Sequence, residues 1–349
     1  MNQPLSIALI GAGSMGRQHL QHLRAIPSLR LCAIVDPMES AAELAAQWDV
    51  PWFAELDELL AQGSAQAVIV ANPNAAHVTT ALRCIDAGLP VLLEKPVGVS
   101  LDEVRELVMV SERTGVPVLV GHHRRHNPLI RKARQLLSDG ALGRVVTVTA
   151  LWQLHKPDAY FDIAWRREPG AGMLLTNLIH DLDLLRHLCG EVEQVQAITS
   201  NAVRGFANED SAVVLLRFAS GALGTLTGSD AVAAPWSWEL TSAENPVYPV
   251  QADQPCYLLA GTQGALSIPQ LRQWSYAEPG AGWHQPLLSQ SLVHGDEQAL
   301  HQQLLHFVDV ARGAVSPLVS AADAGRTLAL YDAICRAAAS GSGCRPEMI

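Results

Sequence analysis

Apolar residues recur along the first third of the chain in short runs that are separated by amphipathic segments. The runs Leu5–Ile10, Leu29–Val35 and Ala67–Ala71 contain few polar residues, which is typical of strands that are buried on both faces of a sheet. The segments Ala41–Gln47 and Ala75–Ala87 between them carry apolar residues at helical spacing. Because strands and helices alternate regularly, this part of the chain predicts a doubly wound parallel sheet.

From about residue 122 the pattern changes to strands with alternating polar and apolar positions. We predict strands at Val145–Leu154, Val192–Thr199, Ser211–Phe218, Leu223–Gly228, Trp236–Ser242, Tyr257–Ala260 and Ala265–Ile268. Helical spacing of apolar residues predicts helices at Pro128–Ser138, Gly172–Leu188, Glu297–Arg312 and Ala321–Ala339. Short turns such as Ala219-Ser220-Gly221 join several strands, which favours an antiparallel meander.

The length of 349 residues favours two domains over one core. The predicted fold class is α/β, with an N-terminal doubly wound parallel sheet of the Rossmann type over residues 1–122. Residues 123–349 are predicted to form a C-terminal α+β domain with a large, mostly antiparallel open sheet. The last helices are able to pack back on the first domain.

A glycine-rich turn follows the first predicted strand and opens the first helix. It reads Gly11-Ala12-Gly13-Ser14-Met15-Gly16. In this pattern Gly11 permits a tight turn, Gly13 lets the backbone approach a pyrophosphate, and Gly16 lets helix and strand pack closely. Ser14 and Met15 begin the helix, whose free N–H groups would bind the phosphates. The turn therefore predicts a dinucleotide site.

Asp36 stands directly after the second predicted strand. A carboxylate at this position can accept hydrogen bonds from the adenosine ribose hydroxyls, and it would repel a 2′-phosphate. No basic residue follows it in Pro37-Met38. The sequence thus favours NAD(H) over NADP(H).

The composition narrows the class of protein further. A net charge of −10 argues against a general nucleic-acid binder, and we find no apolar run long enough to span a membrane. Six scattered cysteines without a C-x-x-C pair indicate reduced thiols rather than disulfides or zinc. Because the first strand begins at Leu5, we expect no secretory signal. These features favour a cytoplasmic enzyme.

Two further motifs carry a specific resemblance. Glu94-Lys95-Pro96 follows the fifth predicted strand, at the edge where open α/β sheets bind ligands. A second motif runs from Gly170-Ala171-Gly172 through Asn177 to His180, Asp181 and Asp183. Together with the glycine turn, with Asn72-Pro73-Asn74 and with His77, these motifs resemble the glucose-fructose oxidoreductase / inositol dehydrogenase (Gfo/Idh/MocA) family, over nearly the whole chain.

The resemblance implies roles for two residues in hydride transfer. Lys95 resembles the family lysine that reaches the nicotinamide ribose and the reacting oxygen of the substrate, where an ammonium stabilises negative charge. His180 resembles the family histidine that takes the hydroxyl proton, a task that suits a side chain with a pKa near neutrality. Pro96 removes a backbone donor and fixes the backbone after the lysine.

The chain departs from the family pattern at one position. The family places an acid four residues before the histidine, where this chain has Thr176. Asn177 follows, three residues before His180 and so on the same helical face. Orientation of the base is therefore open to Asn177, Thr176, Asp181 or Asp183, and we assign Asn177 to the catalytic group with Lys95 and His180.

The other predicted site residues fall into two groups. Cofactor contacts are predicted for Gly11, Gly13, Ser14, Met15, Gly16, Asp36, Asn72, Pro73, Asn74, His77, Glu94, Lys95, Arg124, Trp165 and Arg166. Substrate contacts are predicted for Lys95, His123, His155, Tyr160, Arg166, Thr176, Asn177 and His180. Lys156 and Arg167 are expected to be solvated. Cationic groups near Arg166 would accept a carboxylate or a phosphate on the substrate as well as hydroxyls.

The histidine-rich run Gly121–Pro128 raises the alternative of a metal site. It contains His122, His123 and His126, but no adjacent cysteine or acid completes a set of four ligands. We therefore expect no metal, and instead a cleft lined by His123 and Arg124 with Asn127-Pro128 opening a helix.

These observations predict an NAD(H)-dependent dehydrogenase that acts on a secondary alcohol or ketone of a sugar, cyclic polyol or sugar acid. Two alternatives remain open, an NAD-retaining glycosidase of the same family and a non-catalytic redox sensor. The expected partners are a small-molecule substrate and further copies of the chain, in a homodimer or homotetramer that covers the open sheet. Neither a nucleic acid nor a membrane is expected as a partner.

Overall fold

A computed structural model describes residues 3–278 and 280–349. The chain divides into two compact units. The first consists of the residues up to His126 together with Glu297–Leu328 and Ile349, and the second of Asn127–Asp296 with Ala329–Met348. The segment Glu297–Leu328 therefore belongs to the first unit, although it follows the strands of the second unit along the chain.

The first unit contains a six-stranded parallel sheet. Its strands are β1 (Leu5–Ile10), β2 (Leu29–Val35), β3 (Trp52–Phe53), β4 (Ala67–Val70), β5 (Val91–Leu93) and β6 (Val118–Val120). Its connecting helices are α1 (Ser14–Leu23), α2 (Ser40–Gln47), α3 (Leu56–Gln62), α4 (His77–Asp86) and α5 (Leu101–Thr114). The strand order is β3-β2-β1-β4-β5-β6, and every pairing is parallel. The predicted doubly wound sheet is confirmed.

The sequence explains both the burial of this sheet and the ends of its helices. Every residue of β1, β4, β5 and β6 is buried, as expected where helices cover both faces. At α5, the Ser100 hydroxyl accepts the Glu103 N–H at 3.3 Å, and Gly115 ends the helix with a φ of +71°. Because the strand order reverses between β1 and β4, the loops after β1, β4 and β5 share the ligand-binding edge.

The second unit contains an eight-stranded sheet. Its strands are β7 (Val145–Gln153), β8 (Val192–Ser200), β9 (Ser211–Phe218), β10 (Leu223–Ser229), β11 (Tyr257–Gly261), β12 (Gly264–Ile268), β13 (Arg272–Tyr276) and β14 (Leu287–Ser291). The order is β14-β13-β12-β11-β7-β10-β9-β8. Only β7 and β10 pair in parallel among these described strands. The predicted mostly antiparallel open sheet is confirmed.

Alternating polarity gives this sheet one buried face. The helices of the unit are α6 (Pro128–Ser138), α7 (Met173–Thr176), α8 (Leu178–Cys189) and α9 (Trp238–Thr241). The core residues of this unit include the fully buried side chains of Trp152, Phe218, Trp238 and Tyr257. The Tyr257 hydroxyl donates a hydrogen bond to the Asp181 carboxylate, so a buried acid of α8 is paired within the core.

The structure differs from the sequence prediction in three places. Trp236–Ser242 was predicted as a strand, which is wrong, because the Ser237 hydroxyl accepts the Leu240 N–H at 3.3 Å and caps α9. Gly172–Leu188 is not one helix, since Asn177 interrupts it with φ −121° and ψ −58°. The edge strand β14 and its neighbour β13 had no counterpart in the prediction.

Two helices end the chain, α10 (Ala299–Ala311) and α11 (Ala321–Ser340). In the first unit, Arg125 forms an ion pair of 2.5 Å with Asp323, near the start of α11. Val120 donates its N–H to the Val319 carbonyl at 2.9 Å, which ties β6 to the approach to α11. Within residues 3–278 and 280–349, no helix has both the length and the apolar character that a membrane crossing requires.

Candidate active site

The glycine turn after β1 is shaped by close backbone approach. Gly11 has a φ of +96°, and a Cβ there would lie 2.5 Å from the backbone of Ala71. A Cβ on Gly16 would lie 2.1 Å from the Gly11 carbonyl oxygen. By contrast, a Cβ on Gly13 would meet nothing within 4 Å. Gly11 and Gly16 are thus required by packing, whereas Gly13 leaves open space for a ligand.

The start of α1 suits a dinucleotide phosphate. Gly13 is the N-cap residue and supplies no side-chain hydrogen bond to the helix. The first N–H groups of a helix have no intrahelical acceptor, and here they belong to the turn that contains Ser14 and Met15. A pyrophosphate would find backbone donors and the positive end of the helix dipole at this point.

Asp36 ties the end of β2 to the glycine turn. Its Oδ2 accepts the Ala12 N–H at 2.7 Å, and its Oδ1 accepts the Met38 N–H at 2.9 Å. The carboxylate is half-buried, and each oxygen has a second lone pair available. Asp36 can therefore stabilise the turn and still accept hydrogen bonds from a ribose.

We expect the parent protein to bind NAD(H) at least about tenfold more tightly than NADP(H), or ~1.4 kcal/mol. The reason is charge repulsion between Asp36 and a 2′-phosphate. Asp36→Asn should narrow this difference because it removes the charge but keeps an oxygen for the Ala12 N–H. Glu43→Gln, which removes an exposed acid on α2, is the matched control and should leave the difference unchanged. Calorimetric titration with both cofactors is the measurement, and equal affinities in the parent would contradict the prediction.

The buried side chain of His77 supports the loop after β4. Its Nε2 lies 2.9 Å from the Asn72 carbonyl oxygen, and its Nδ1 lies 2.7 Å from the Pro96 carbonyl oxygen. The Asn72 amide also donates to the Thr80 hydroxyl at 2.8 Å. Pro73 and Asn74 are exposed, whereas His77 is buried. Of the residues predicted to contact the cofactor here, His77 is therefore buried beneath the loop, whereas Pro73 and Asn74 lie at the surface.

Glu94, the first residue after β5, anchors the backbone of Lys95. Its Oε1 lies 2.7 Å from Nε2 of the fully buried His19, and its Oε2 accepts the Lys95 N–H at 3.1 Å. Burial would raise the pKa of Glu94, but the hydrogen bond and charge of His19, with His123 and Lys95, lower it to about 2. The carboxylate is ionised at neutral pH, and its two oxygens bind His19 and the Lys95 N–H within the protein. Lys95, by contrast, is half-buried at the end of the strand.

The histidine-rich run after β6 forms a short 3-10 turn, His123–His126. Arg124 is buried there and His123 is half-buried. The Asn127 side chain accepts the Leu129 N–H at 2.9 Å, which opens α6 at Pro128. Among the residues that the structure describes, no group of three or more His, Cys, Asp or Glu side chains is placed to hold a metal ion.

In the second unit, the break between α7 and α8 brings polar groups together near His180. The His180 N–H donates to the Asn177 carbonyl at 3.1 Å, and the His180 side chain is buried. The Thr176 hydroxyl lies 2.9 Å from Asn177 Oδ1. Thr176, Asn177 and His180, which sequence reasoning grouped, therefore lie in one short segment.

Lys156 joins this segment, and the expectation that it is solvated is wrong. Its Nζ donates to Asn177 Oδ1 at 2.8 Å and lies 3.5 Å from the Asp230 carboxylate. Only 11% of its side chain is exposed. Burial lowers the pKa of Lys156, although the carboxylate of Asp230 opposes the shift. Asp230 lies far away in sequence, so local spacing gave no signal for this buried cation.

The loop after β7 contains the remaining predicted substrate residues. The Arg166 guanidinium lies 4.0 Å from the centre of the Tyr160 ring and donates to the Tyr160 carbonyl at 2.8 Å. Trp165 and His155 are exposed. Tyr160 and Arg166 therefore form one unit, since the cation stacks on the ring.

Comparison with known proteins agrees with this geometry. Residues 5–122 match the model of the oxidoreductase family with an NAD-binding Rossmann fold. The chain is therefore an NAD-dependent oxidoreductase, and the predicted cofactor is confirmed. Residues 130–267 match the GFO/IDH/MocA C-terminal domain. The chain belongs to the GFO/IDH/MocA family, which confirms the resemblance drawn from its motifs.

Individual relatives match at moderate identity. Inositol 2-dehydrogenase of Rhizobium meliloti is 25% identical over 339 residues, which cover 95% of this chain and 96% of the relative. The rhizopine catabolism protein MocA of the same species is 27% identical over 228 residues, or 63% of this chain and 70% of the relative. The WlbA dehydrogenase of Bordetella pertussis, solved with NADH and UDP-GlcNAcA, has a TM-score of 0.81 at 24% identity and covers 99% of this chain and 100% of its own. The structural match shows the shared fold.

Proposed function

We propose that this protein is a dehydrogenase that moves a hydride between NAD(H) and a secondary alcohol or ketone on a sugar, a cyclic polyol or a sugar acid. The observation that carries the proposal is the anchoring of Lys95 after β5 by Glu94, on the same sheet edge as the open space at Gly13. Relatives named as inositol dehydrogenases, and a structural neighbour solved with a UDP-linked sugar acid, support this substrate class.

Bound NAD⁺ supplies the hydride acceptor, and the chain supplies charge and a base. The Lys95 ammonium would contact the reacting oxygen and stabilise its alkoxide character as the C–H bond weakens. His180 would take the hydroxyl proton. Asn177 Oδ1 already accepts hydrogen bonds from Lys156 and the Thr176 hydroxyl, so the Nδ2 group is the part of this amide that could donate to a substrate hydroxyl.

The test is incubation with NAD⁺ and a panel of sugars, inositols, sugar acids and nitrophenyl glycosides, while the absorbance of the reduced cofactor is followed. Net formation of NADH with at least one polyol or sugar is the expected result. Release of nitrophenol without net NADH would instead indicate a glycosidase that retains NAD. Tight NAD binding with neither product would indicate a redox sensor.

We further propose that the protein is a cytoplasmic homodimer or homotetramer that covers the outer face of the second sheet. Four apolar side chains on neighbouring strands, Ile198, Val213, Leu215 and Leu223, are between 48% and 76% exposed on this face. Scattered single apolar residues are ordinary, but a contiguous set on an open sheet marks an interface. The six cysteines are all free, in keeping with a reducing compartment.

Leu215→Glu is expected to weaken self-association by at least about tenfold, or ~1.4 kcal/mol, because it places a charge in an apolar interface. Val99→Glu, an exposed apolar residue of the first unit, is the matched control. Sedimentation velocity over a range of concentrations is the measurement. A parent that sediments as a monomer throughout, or a variant with parental association, would contradict the proposed interface.

A further inference from the structure

Two buried histidines lie on either side of Lys95 in the first unit. His19 on α1 contacts Glu94, the residue before Lys95, with Nε2 and Oε1 separated by 2.7 Å. His77 at the start of α4 contacts Pro96, the residue after Lys95, with Nδ1 2.7 Å from the carbonyl oxygen. The exposed fractions are 0% for His19 and 1% for His77. Each flank of Lys95 is thus connected to a different helix by an imidazole.

We propose that His19 and His77 are positioning residues that act through Lys95. They hold the Glu94-Lys95-Pro96 segment so that the ammonium is aimed at the reacting oxygen, without contacting substrate themselves. This inference rests on the proposed function, in which Lys95 is the residue that meets that oxygen.

The first contact forms a continuous chain of hydrogen bonds from α1 to the Lys95 backbone. Because the pKa of Glu94 is lowered to about 2, its carboxylate only accepts hydrogen bonds at neutral pH, so the His19 Nε2–H donates. The other carboxylate oxygen accepts the Lys95 N–H at 3.1 Å. A Cβ built on Gly121 would lie 3.0 Å from Glu94 Oε1. The end of β6 therefore encloses the carboxylate from another side.

The second contact joins two loops of the ligand-binding edge. The His77 ring spans from the Asn72 carbonyl, after β4, to the Pro96 carbonyl, after β5. Burial is the largest cause of the lowered pKa of His77, and the charge of Lys95 lowers it further. The hydrogen bonds to the two carbonyls and the charge of Glu94 act in the opposite direction. Each ring nitrogen lies within hydrogen-bond distance of one carbonyl oxygen, 2.9 Å on the Asn72 side and 2.7 Å on the Pro96 side. His77 thereby fixes the spacing between the loop that contains Asn74 and the segment that contains Lys95.

A lysine side chain needs such support because its long stem is flexible. Its direction at Cα is set by the backbone, and a displacement of about 1 Å at a reacting centre can cost about 100-fold in rate. Without His19, the buried Glu94 carboxylate would lose the donor to its Oε1, and a buried charge that loses a partner is destabilising. His19 supplies that donor.

The first test is a double-mutant cycle between His19→Leu and Lys95→Ala, with NAD⁺ and the panel substrate of highest turnover. We expect His19→Leu to lower kcat by about 10- to 100-fold, with NAD⁺ affinity unchanged. In the Lys95→Ala background the same change should have little further effect on kcat. His19→Gln should recover part of the loss, because its amide can donate to Glu94. His22→Leu, one turn along α1 and half-buried, is the matched control and should keep parental kcat.

The second test measures hydrogen exchange at the Lys95 amide, which needs no substrate. His19→Leu and His77→Leu should each accelerate it, and His22→Leu should not. If the leucine variants do not fold, His19→Gln and His77→Asn serve in the same comparison, with a smaller acceleration expected.

Two results would overturn the inference. One is an equal loss of kcat from His19→Leu in both backgrounds, which is the result of a merely structural role. The other is unchanged exchange at Lys95 in both histidine variants. If the parent turns over no panel substrate, the proposed function fails, and the exchange result alone decides whether the two histidines hold the segment.

Discussion

Replacement of Lys95 by alanine is expected to lower turnover by about 10²–10³-fold, the usual loss when one donor to a developing oxyanion is removed. The fold and most of the NAD⁺ affinity should be retained, because Lys95 is half-buried at a strand end and the phosphate donors belong to the glycine turn. Steady-state kinetics with the best panel substrate, together with calorimetric titration of NAD⁺, are the measurements.

The matched control is Lys132→Ala on α6, where the Lys132 ammonium donates a hydrogen bond to Gln135 Oε1 at 3.4 Å. It removes the same charge from a residue of the second unit that is not among the predicted cofactor or substrate contacts, and it should leave turnover unchanged. Near-parental turnover in Lys95→Ala would remove Lys95 from the mechanism. A loss confined to KM would indicate that Lys95 binds substrate in its ground state rather than stabilising the transition state.

Replacement of His180 by alanine is expected to lower alcohol oxidation by about 10²–10⁴-fold, the range for a positioned acid–base group. The parent should lose oxidation as pH falls through the titration of a group near neutrality, since only the unprotonated imidazole accepts the hydroxyl proton. His180→Ala should lose that dependence. The measurement is the pH profile of kcat/KM for oxidation. A parental profile in His180→Ala would show that another group takes the proton, with Lys95 the leading candidate.

Three further variants test how the residues around His180 affect its role as the base. Asn177→Ala should be the next most damaging change on this segment, because Asn177 holds Lys156 and Thr176 at the start of α8. Thr176→Asp should move the profile to higher pH, since a nearby carboxylate favours the imidazolium, although this variant loses the hydrogen bond that Thr176 donates to Asn177 Oδ1. His187→Ala on the same helix is the matched control. A profile of the parental shape is expected there.

The first unit could be predicted almost completely from sequence because its signals are local. Buried parallel strands appear as short apolar runs, and the glycine turn can be recognised from the spacing of its glycines alone. His19 was not predicted to matter, although a signal existed. Gly16, His19, Leu20 and Leu23 form the buried stripe of α1, and a histidine in such a stripe requires a polar partner within the protein. That partner, Glu94, could not be identified from sequence because it lies 75 residues away, after β5.

The second unit was harder to predict because its determinants are short or distant. The strands β13 and β14 are short and mix polar with apolar residues, so their alternation was too weak to recognise. The Ser237 cap outweighed the aromatic residues that favoured a strand. Lys156 is buried by contacts with Asp230 and Asn177, and neither lies near it in sequence. Its exposure therefore depended on the fold and not on local composition.

The position of β7 has a consequence for how the second sheet assembles. On one side of it β8, β9 and β10 form one meander, and on the other β11 to β14 form a second, each built from neighbours in sequence. β7 precedes both and pairs with the last strand of one and the first strand of the other. Closing those two long loops costs chain entropy that the local hairpins do not. Both meanders depend on β7 to become one sheet, and we expect its docking to be slower than formation of the local hairpins.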